Sequence, residues 1–442
     1  MTNQSHMKHL LFFLVTSLGI SASLSAQGAW TLEQCIDHAL KQNVSLQQAD
    51  LNRENQGINL DKAKNQRLPG VYASASAASS FGQSMNNQGY YEYGNSQSYS
   101  GGLSANMPLF NGFQISNTIK AQELNLKASM EDLKKARESL SVTIASAYLQ
   151  VLFSKELLQL AKDQEVLSLQ QLDRYQSMAA LGKIPEGQVS EIKALYANNQ
   201  LETSKAQSNL KMALLDLAQL IELEDWEAFD IVVPNFDVAA LGLQLTPADD
   251  IYSLAVGIKP VVKASQIRLE QNERQLKVAE GGYYPSLSLG ASYGNGYYGG
   301  NMSLADQLSK NARTSINVSL SVPLFNRFET SNSVKSAKLA IRSAELDLEN
   351  SKKTLYKEIQ QAWFNASTAI ERFRASNESV LQSEIAFRFT EEKFNNARAT
   401  AYEYDEARTN LALSRSNLLQ AKYNYLFSVK ILDFYKGEPL AL

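Results

Sequence analysis

Cysteine is almost missing from this chain: Cys35 is the only one in 442 residues, so no intrachain disulfide can form. Histidine is nearly as scarce, and His38 is the only one beyond residue 9. A His-based triad or a His/Cys metal site would have to use His38 and Cys35, both on one short helical stretch. No Gly-rich phosphate loop follows a strand pattern, so neither a cofactor nor a catalytic centre is expected. A basic excess is also lacking: 42 Lys and Arg stand against 45 Asp and Glu, a net charge of −3. That balance excludes nucleic acid as a partner, because a polyanion needs a concentrated basic face. Beyond residue 26 no apolar run approaches the roughly 20 residues of a membrane helix. Any membrane span in the rest of the chain must therefore be made of strands.

What is present begins with a targeting signal. Lys8 and His9 open it, Leu10 to Ile20 is an apolar run, and small residues follow to Ala26. That order reads as a signal peptide over 1–26, cleaved before Gln27, rather than a buried N-terminal helix. Cys35 lies too far past the run, without small residues before it, to be a lipid-attachment site. It reads as a buried helical cysteine.

The remainder is written twice. Asn106-Met107-Pro108-Leu109-Phe110-Asn111 resembles Ser321-Val322-Pro323-Leu324-Phe325-Asn326, an offset of 215 residues. The same offset carries Ile144, Ala147 and Tyr148 onto Ile359, Ala362 and Trp363, and Glu191 onto Glu406. The division expected is a first repeat at 27–223, a linker at 224–245 and a second repeat at 246–442.

Each repeat opens with a helix: Thr31 with Gln34 makes a capping box, and Thr246 with Pro247 offers a cap. Two strands follow, within about 68–111 and about 284–326. Ile316, Val318 and Leu320 alternate with Asn317 and Ser319; Leu287, Leu289 and Ala291 alternate with Ser288 and Gly290. The apolar face and segments of about 9–11 residues suit membrane β-strands. A soluble sandwich would alternate too. Tyrosines at the strand connections (Tyr90, Tyr91, Tyr93, Tyr297, Tyr298) favour a membrane interface. Long helices come next, since neither Gly nor Pro occurs from Phe113 to Leu181 or from Leu324 to Lys436. Val334, Ala337, Ile341, Ala344 and Leu348 recur at heptad spacing, and Leu339 with Leu346 makes a second stripe, as in a wall of helices. The helical runs turn back at Leu181-Gly182-Lys183 and, by the repeat offset, at Ala397-Arg398-Ala399.

In this order and duplication the chain resembles the TolC-like outer-membrane efflux protein family. The residues that carry the resemblance are Leu32 to Asn43, the two Pro-Leu-Phe-Asn strand ends and Asn417 to Leu426. The resemblance implies a mainly α fold with a membrane β-barrel: a homotrimer, its 12-stranded outer-membrane barrel continued by a long periplasmic α-helical barrel. It implies the outer-membrane channel of a tripartite export system, not an enzyme. The partners would be outer-membrane lipid, a periplasmic adaptor (membrane fusion) protein and an inner-membrane pump of RND or ABC type. The cargo would be small toxic molecules or a secreted protein.

It further implies a ring of acids at the pore entrance, here Glu403 and Glu406, one helical turn apart. Read from the residues alone, these two are a solvated helical face. The adaptor would dock on the hairpin tips, at Leu181, Gly182, Lys183, Ala397, Arg398 and Ala399. Some relatives hold the gate shut with a Tyr and an Arg shortly before these acids; here those positions carry Phe394, without a hydroxyl, and Ala399, with Arg398 one place earlier. The competing reading is a structural coiled-coil protein of the envelope, a water-soluble rod without channel activity.

Overall fold

The computed structural model of the chain describes residues 29–85, 89–234, 245–297, 303–396 and 398–440. The targeting signal, residues 235–244 of the linker, Tyr298 and Ala397 lie outside the described residues.

Helices α1 (Leu32–Gln42) and α2 (Val44–Asn65) open the first repeat. The capping box is formed: Thr31 Oγ1 accepts from Gln34 N at 3.2 Å and Gln34 Oε1 accepts from Thr31 N at 2.9 Å. The opening helix is thus two helices, broken at Asn43, whose side-chain amide donates to the Leu220 carbonyl at 3.1 Å. Strands β1 (Gly70–Met85) and β2 (Tyr91–Asn111) follow, then α3 (Gln114–Ala180) and α4 (Glu186–Leu220). The second repeat runs α5 (Ala248–Ile258), α6 (Pro260–Glu280), β3 (Ser286–Tyr297), a short α7 (Leu304–Lys310), β4 (Arg313–Ser321), α8 (Glu329–Asn395) and α9 (Ala401–Lys436). Here the cap differs from expectation. The Pro247 carbonyl receives the first helical N–H groups, and that of Thr246 accepts the Trp363 indole N–H instead.

The duplication is visible in element lengths. Helices α3 and α8 both have 67 residues, and α4 and α9 have 35 and 36. At 1.5 Å per residue the longer pair are about 100 Å each. The strand-to-helix junctions match residue by residue. Gly112 and Phe113 are left-handed (φ 63° and 63°), as are Arg327 and Phe328 (φ 56° and 63°). Phe110 packs edge-on against Phe113 at 5.1 Å, and Phe325 against Phe328 at 5.6 Å. A Cβ at Gly112 would collide with the Gly281 carbonyl, so glycine is required there.

The described residues form two compact units, and each repeat contributes to both. One draws on the described residues within 29–44, 137–251 and 359–440, the other on those within 45–136 and 252–358. The first is built on an apolar core of Leu32, Cys35, Ile144, Tyr148, Leu152, Leu217 and Ile231. Trp30 forms a parallel bridge with Ile231, and the Tyr148 hydroxyl donates toward the carbonyls of Trp30 (3.1 Å) and Val232 (2.7 Å). Cys35 is fully buried there, and burial pushes its thiol pKa up to about 12.

The second unit holds an antiparallel sheet in the order β1-β2-β3-β4. Its strands have 16, 21, 12 and 9 residues, so the first pair exceeds the expected 9–11. The excess is a two-stranded extension: β2 pairs with β3 only from Tyr99 onward, while Tyr91 to Ser98 pair with β1 alone. Pro108 has no N–H for the ladder, and the β2–β3 register shifts between Pro108 and Phe110.

Candidate functional site

The sheet has two chemically distinct faces, and the register defines them. Because side chains alternate, partners across the strands share a face. One face carries the rows Val71–Ala105–Ala291–Ile316, Ala73–Leu103–Tyr293–Thr314 and Met107–Leu289–Val318. The other carries Tyr72–Ser104–Ser292–Ser315 and Gly70–Asn106–Gly290–Asn317. Hydroxyl pairs Ser76–Ser100 and Ser292–Ser315, each 2.7 Å apart, lie on the polar face. Tyr99 stacks on Tyr297 at 6.0 Å at one end of the apolar face, and Phe110, Phe113 and Tyr284 pack edge to face at the other. From Leu287 to Tyr297 is ten residue rises, about 34 Å, or roughly 26 Å along the normal at a strand tilt near 40°. That matches the apolar band of an outer-membrane barrel, aromatic girdles included. Among the described residues no helix is long and apolar enough to cross a membrane. Both sheet edges, β1 and β4, have one strand partner each.

The other predicted site residues lie at the hairpin ends of the first unit. In the turn after α3, Leu181 is largely exposed and Gly182 is left-handed (φ 68°) with open space around its Cα. Gly182 N donates to Ala179 O and Lys183 N to Met178 O, closing the helix with a Schellman motif. In the second turn, Arg398 N donates to Lys393 O at 2.8 Å.

Arg398, Ala399, Glu403 and Glu406 come together: they line one cavity of about 480 Å³ with Lys393 and Asn410. Glu403 also has a local task. Its carboxylate accepts from Thr400 N (2.7 Å) and Thr400 Oγ1 (2.9 Å), completing a capping box at the start of α9. Those two bonds hold its pKa below the usual glutamate range, so it stays ionised. Among the described residues no three His, Cys, Asp or Glu side chains are placed to hold a metal ion.

Phe394 is elsewhere, in a cluster joining the two hairpins of one chain. Its ring stacks on Tyr175 (6.3 Å, 7° between planes) and tilts against Tyr404 (4.8 Å). The Arg174 guanidinium lies over Phe394 at 5.9 Å and donates to Asn395 Oδ1 at 3.1 Å. One layer deeper, Arg408 is 4% exposed and donates to Gln171 Oε1 at 3.1 Å. Asp405 lies 3.7 Å from Arg408, and its buried Oδ1 accepts no hydrogen bond among the described residues. Burial raises the Asp405 pKa, Arg408 lowers it, and Glu191 on α4 raises it further. The sequence singled out Phe394 among these residues, and not Gln171, Arg174, Tyr175, Tyr404, Asp405 or Arg408, which the fold brings to it. The first three sit on the other hairpin, more than 200 residues away, and no local pattern links them.

A two-faced membrane sheet carried with long helical hairpins is the architecture of an outer-membrane export channel. The chain belongs to the outer membrane efflux protein family, whose model matches residues 35–222 and 251–438, one stretch in each repeat. It is similar to the outer membrane protein TolC of Escherichia coli (strain K12): 22% identical, covering 96% of this chain and 85% of that one. It is 23% identical to the toxin and drug export protein A of Aggregatibacter actinomycetemcomitans, over 74% of this chain and 70% of that one. Its fold matches the solved outer membrane protein VceC of Vibrio cholerae, with a TM-score of 0.74 and 18% identity over 92% and 96% of the two chains. The Campylobacter jejuni CmeC outer membrane channel gives a TM-score of 0.76 at 22% identity, over 92% and 84%. The chain is thus a TolC-like transport protein of the outer membrane with a periplasmic extension. The family is one of channels, not enzymes.

Proposed function

We propose that this chain is one third of a tripartite export system's outer-membrane duct, a homotrimer that passes cargo from a periplasmic adaptor and an inner-membrane pump to the exterior. One observation carries the reading: a four-stranded sheet with one apolar face and two open edges. Lipid tolerates no unsatisfied backbone, so the edges must pair with other copies. Two copies would make eight strands, an interior just filled by side chains; three make twelve and leave a pore. The helices too present a face that calls for neighbouring copies. On α8 Ala344 is buried and Val334, Ala337, Ile341 and Leu348 are half-buried within the chain, whereas Leu339 and Leu346 are 72% and 51% exposed. Leu381, Ile385 and Phe389 continue an exposed apolar face at spacings of four. A neighbouring copy covers these residues, and the helices close into a periplasmic tunnel.

Glu403 and Glu406 become rings of three carboxylates at the tunnel entrance, favouring cations. The cluster around Phe394 ties the second hairpin to the first and holds the entrance narrow; opening breaks it. The tips at Leu181, Gly182, Lys183, Arg398 and Ala399, with Ala397, receive the adaptor. Energy comes from the pump, whose type decides between small toxic molecules and a secreted protein.

Cross-linking in intact cells, then detergent purification and mass spectrometry, tests the assembly. A trimer recovered with an adaptor and an RND or ABC pump is expected. Recovery without detergent, with soluble partners only, would refute the channel. Unchanged cation selectivity in Glu403→Gln plus Glu406→Gln would remove the ring.

A further inference from the structure

The polar face of the sheet contains one unexpected group. In the rows shared by β2, β3 and β4, Arg313 is the only charged residue among those described. Its face follows from the register and from a hydrogen bond. Arg313 pairs with Gly294, which pairs with Gly102, which pairs with Ser74. Two residues on, Ser315 joins its hydroxyl to that of Ser292, so Arg313 shares the serine face and not the face of Thr314 and Ile316. An arginine anchored to lipid headgroups would belong on the other face.

The surroundings suit an anion. The two positions beside Arg313 in its row are glycines, so no side chain competes for the guanidinium. Serines 100, 104, 292 and 315 lie in the adjoining rows and line the same depression of about 410 Å³, together with Arg313. A guanidinium presents a planar fork of donors, and hydroxyls rotate to donate as needed. No carboxylate lines this depression.

We propose that Arg313 is an anion contact on the inner wall of the barrel, where it receives carboxylate, phosphate or sulfate groups of solutes leaving the channel. The inference rests on the trimeric channel reading, which repeats the contact three times around the pore. It gives the duct opposite charge preferences at two places, acidic at Glu403 and Glu406 and basic at Arg313.

Reversal potentials across planar bilayers under a KCl gradient test this with the full-length protein. Arg313→Ser should raise the K⁺/Cl⁻ permeability ratio about twofold or more. The effect should shrink between 0.1 M and 1 M salt, as the screening length falls from about 10 Å to about 3 Å. Arg313→Lys should stay near wild type. A readout needing no variant is block of the wild-type pore by citrate added on the barrel side, which should be dose-dependent. An unchanged ratio in Arg313→Ser, in pores where Glu403→Gln plus Glu406→Gln does shift it, would overturn the proposal while leaving the channel intact. So would the absence of citrate block. If the wild-type protein forms no pore at all, the channel reading fails and Arg313 falls with it.

Discussion

Replacing Phe394 with alanine should open the entrance without unfolding the protein. The ring makes two aromatic contacts, with Tyr175 at 6.3 Å and Tyr404 at 4.8 Å, and carries Arg174 at 5.9 Å above it. Each aromatic pair contributes about 0.5–1.5 kcal/mol beyond area burial, and a part-exposed cation–π contact about 0.5–1 kcal/mol. Tyr404 is on α9 of the same hairpin, so only the Tyr175 and Arg174 contacts cross, and truncation removes roughly 1–2.5 kcal/mol of attachment between the hairpins of one chain. At 1.4 kcal/mol per tenfold, the closed-to-open ratio falls about 5- to 60-fold per subunit. The Arg174–Asn395 and Arg408–Gln171 bonds remain, so the fold should persist. The assay is single-channel recording, with thermal unfolding as the control. Phe394→Ala should show a larger mean conductance or open fraction, and Phe394→Tyr, which keeps the ring, should not. A Phe394→Ala pore that conducts like wild type, with normal trimer yield, would refute the cluster's role in closure.

Asp405 should make the same seam pH-dependent. Its pKa is raised in the folded protein, so the folded state binds the proton more tightly than the unfolded state. The resulting stabilisation is full below the ordinary aspartate value and is lost as pH rises through the raised one. Melting temperature against pH should show this slope, and Asp405→Asn should flatten it. Cys35, with its thiol raised from 9.0 to about 12, should react with maleimide about a thousandfold more slowly in the native protein than after denaturation. Rapid labelling of the native protein would place it outside the core. Gly182 has φ 68°, so Gly182→Leu should cost about 1–2 kcal/mol locally and abolish adaptor cross-linking while leaving the trimer. Gly182→Asn, which tolerates that conformation, should be milder; normal export by Gly182→Leu would remove this tip from the interface.

The amino-acid sequence alone carried the repeat, the succession of strand pairs and long hairpins, and the family. Those are local or periodic properties. Capping at Thr31, strand alternation around Ile316 and the Gly- and Pro-free runs each act within a few residues, and a duplication prints them twice. The left-handed pairs Gly112–Phe113 and Arg327–Phe328 show how closely the copies still agree, though only one of the four residues is a glycine. Tertiary structure decided which stripe is covered and which is bare. Leu348 and Leu346 look alike in the sequence, yet Leu348 is half-buried and Leu346 is exposed. It also decided that Phe394 and Arg398, four residues apart, go to different places. Phe394 packs into an aromatic stack with α3, and Arg398 faces the cavity of Glu403 and Glu406. The side of the sheet on which Arg313 stands likewise waited on the register, because a slip of one residue exchanges the two faces. Contacts made across more than 200 residues of chain leave no spacing to read, since only the closing of the hairpins brings the partners together.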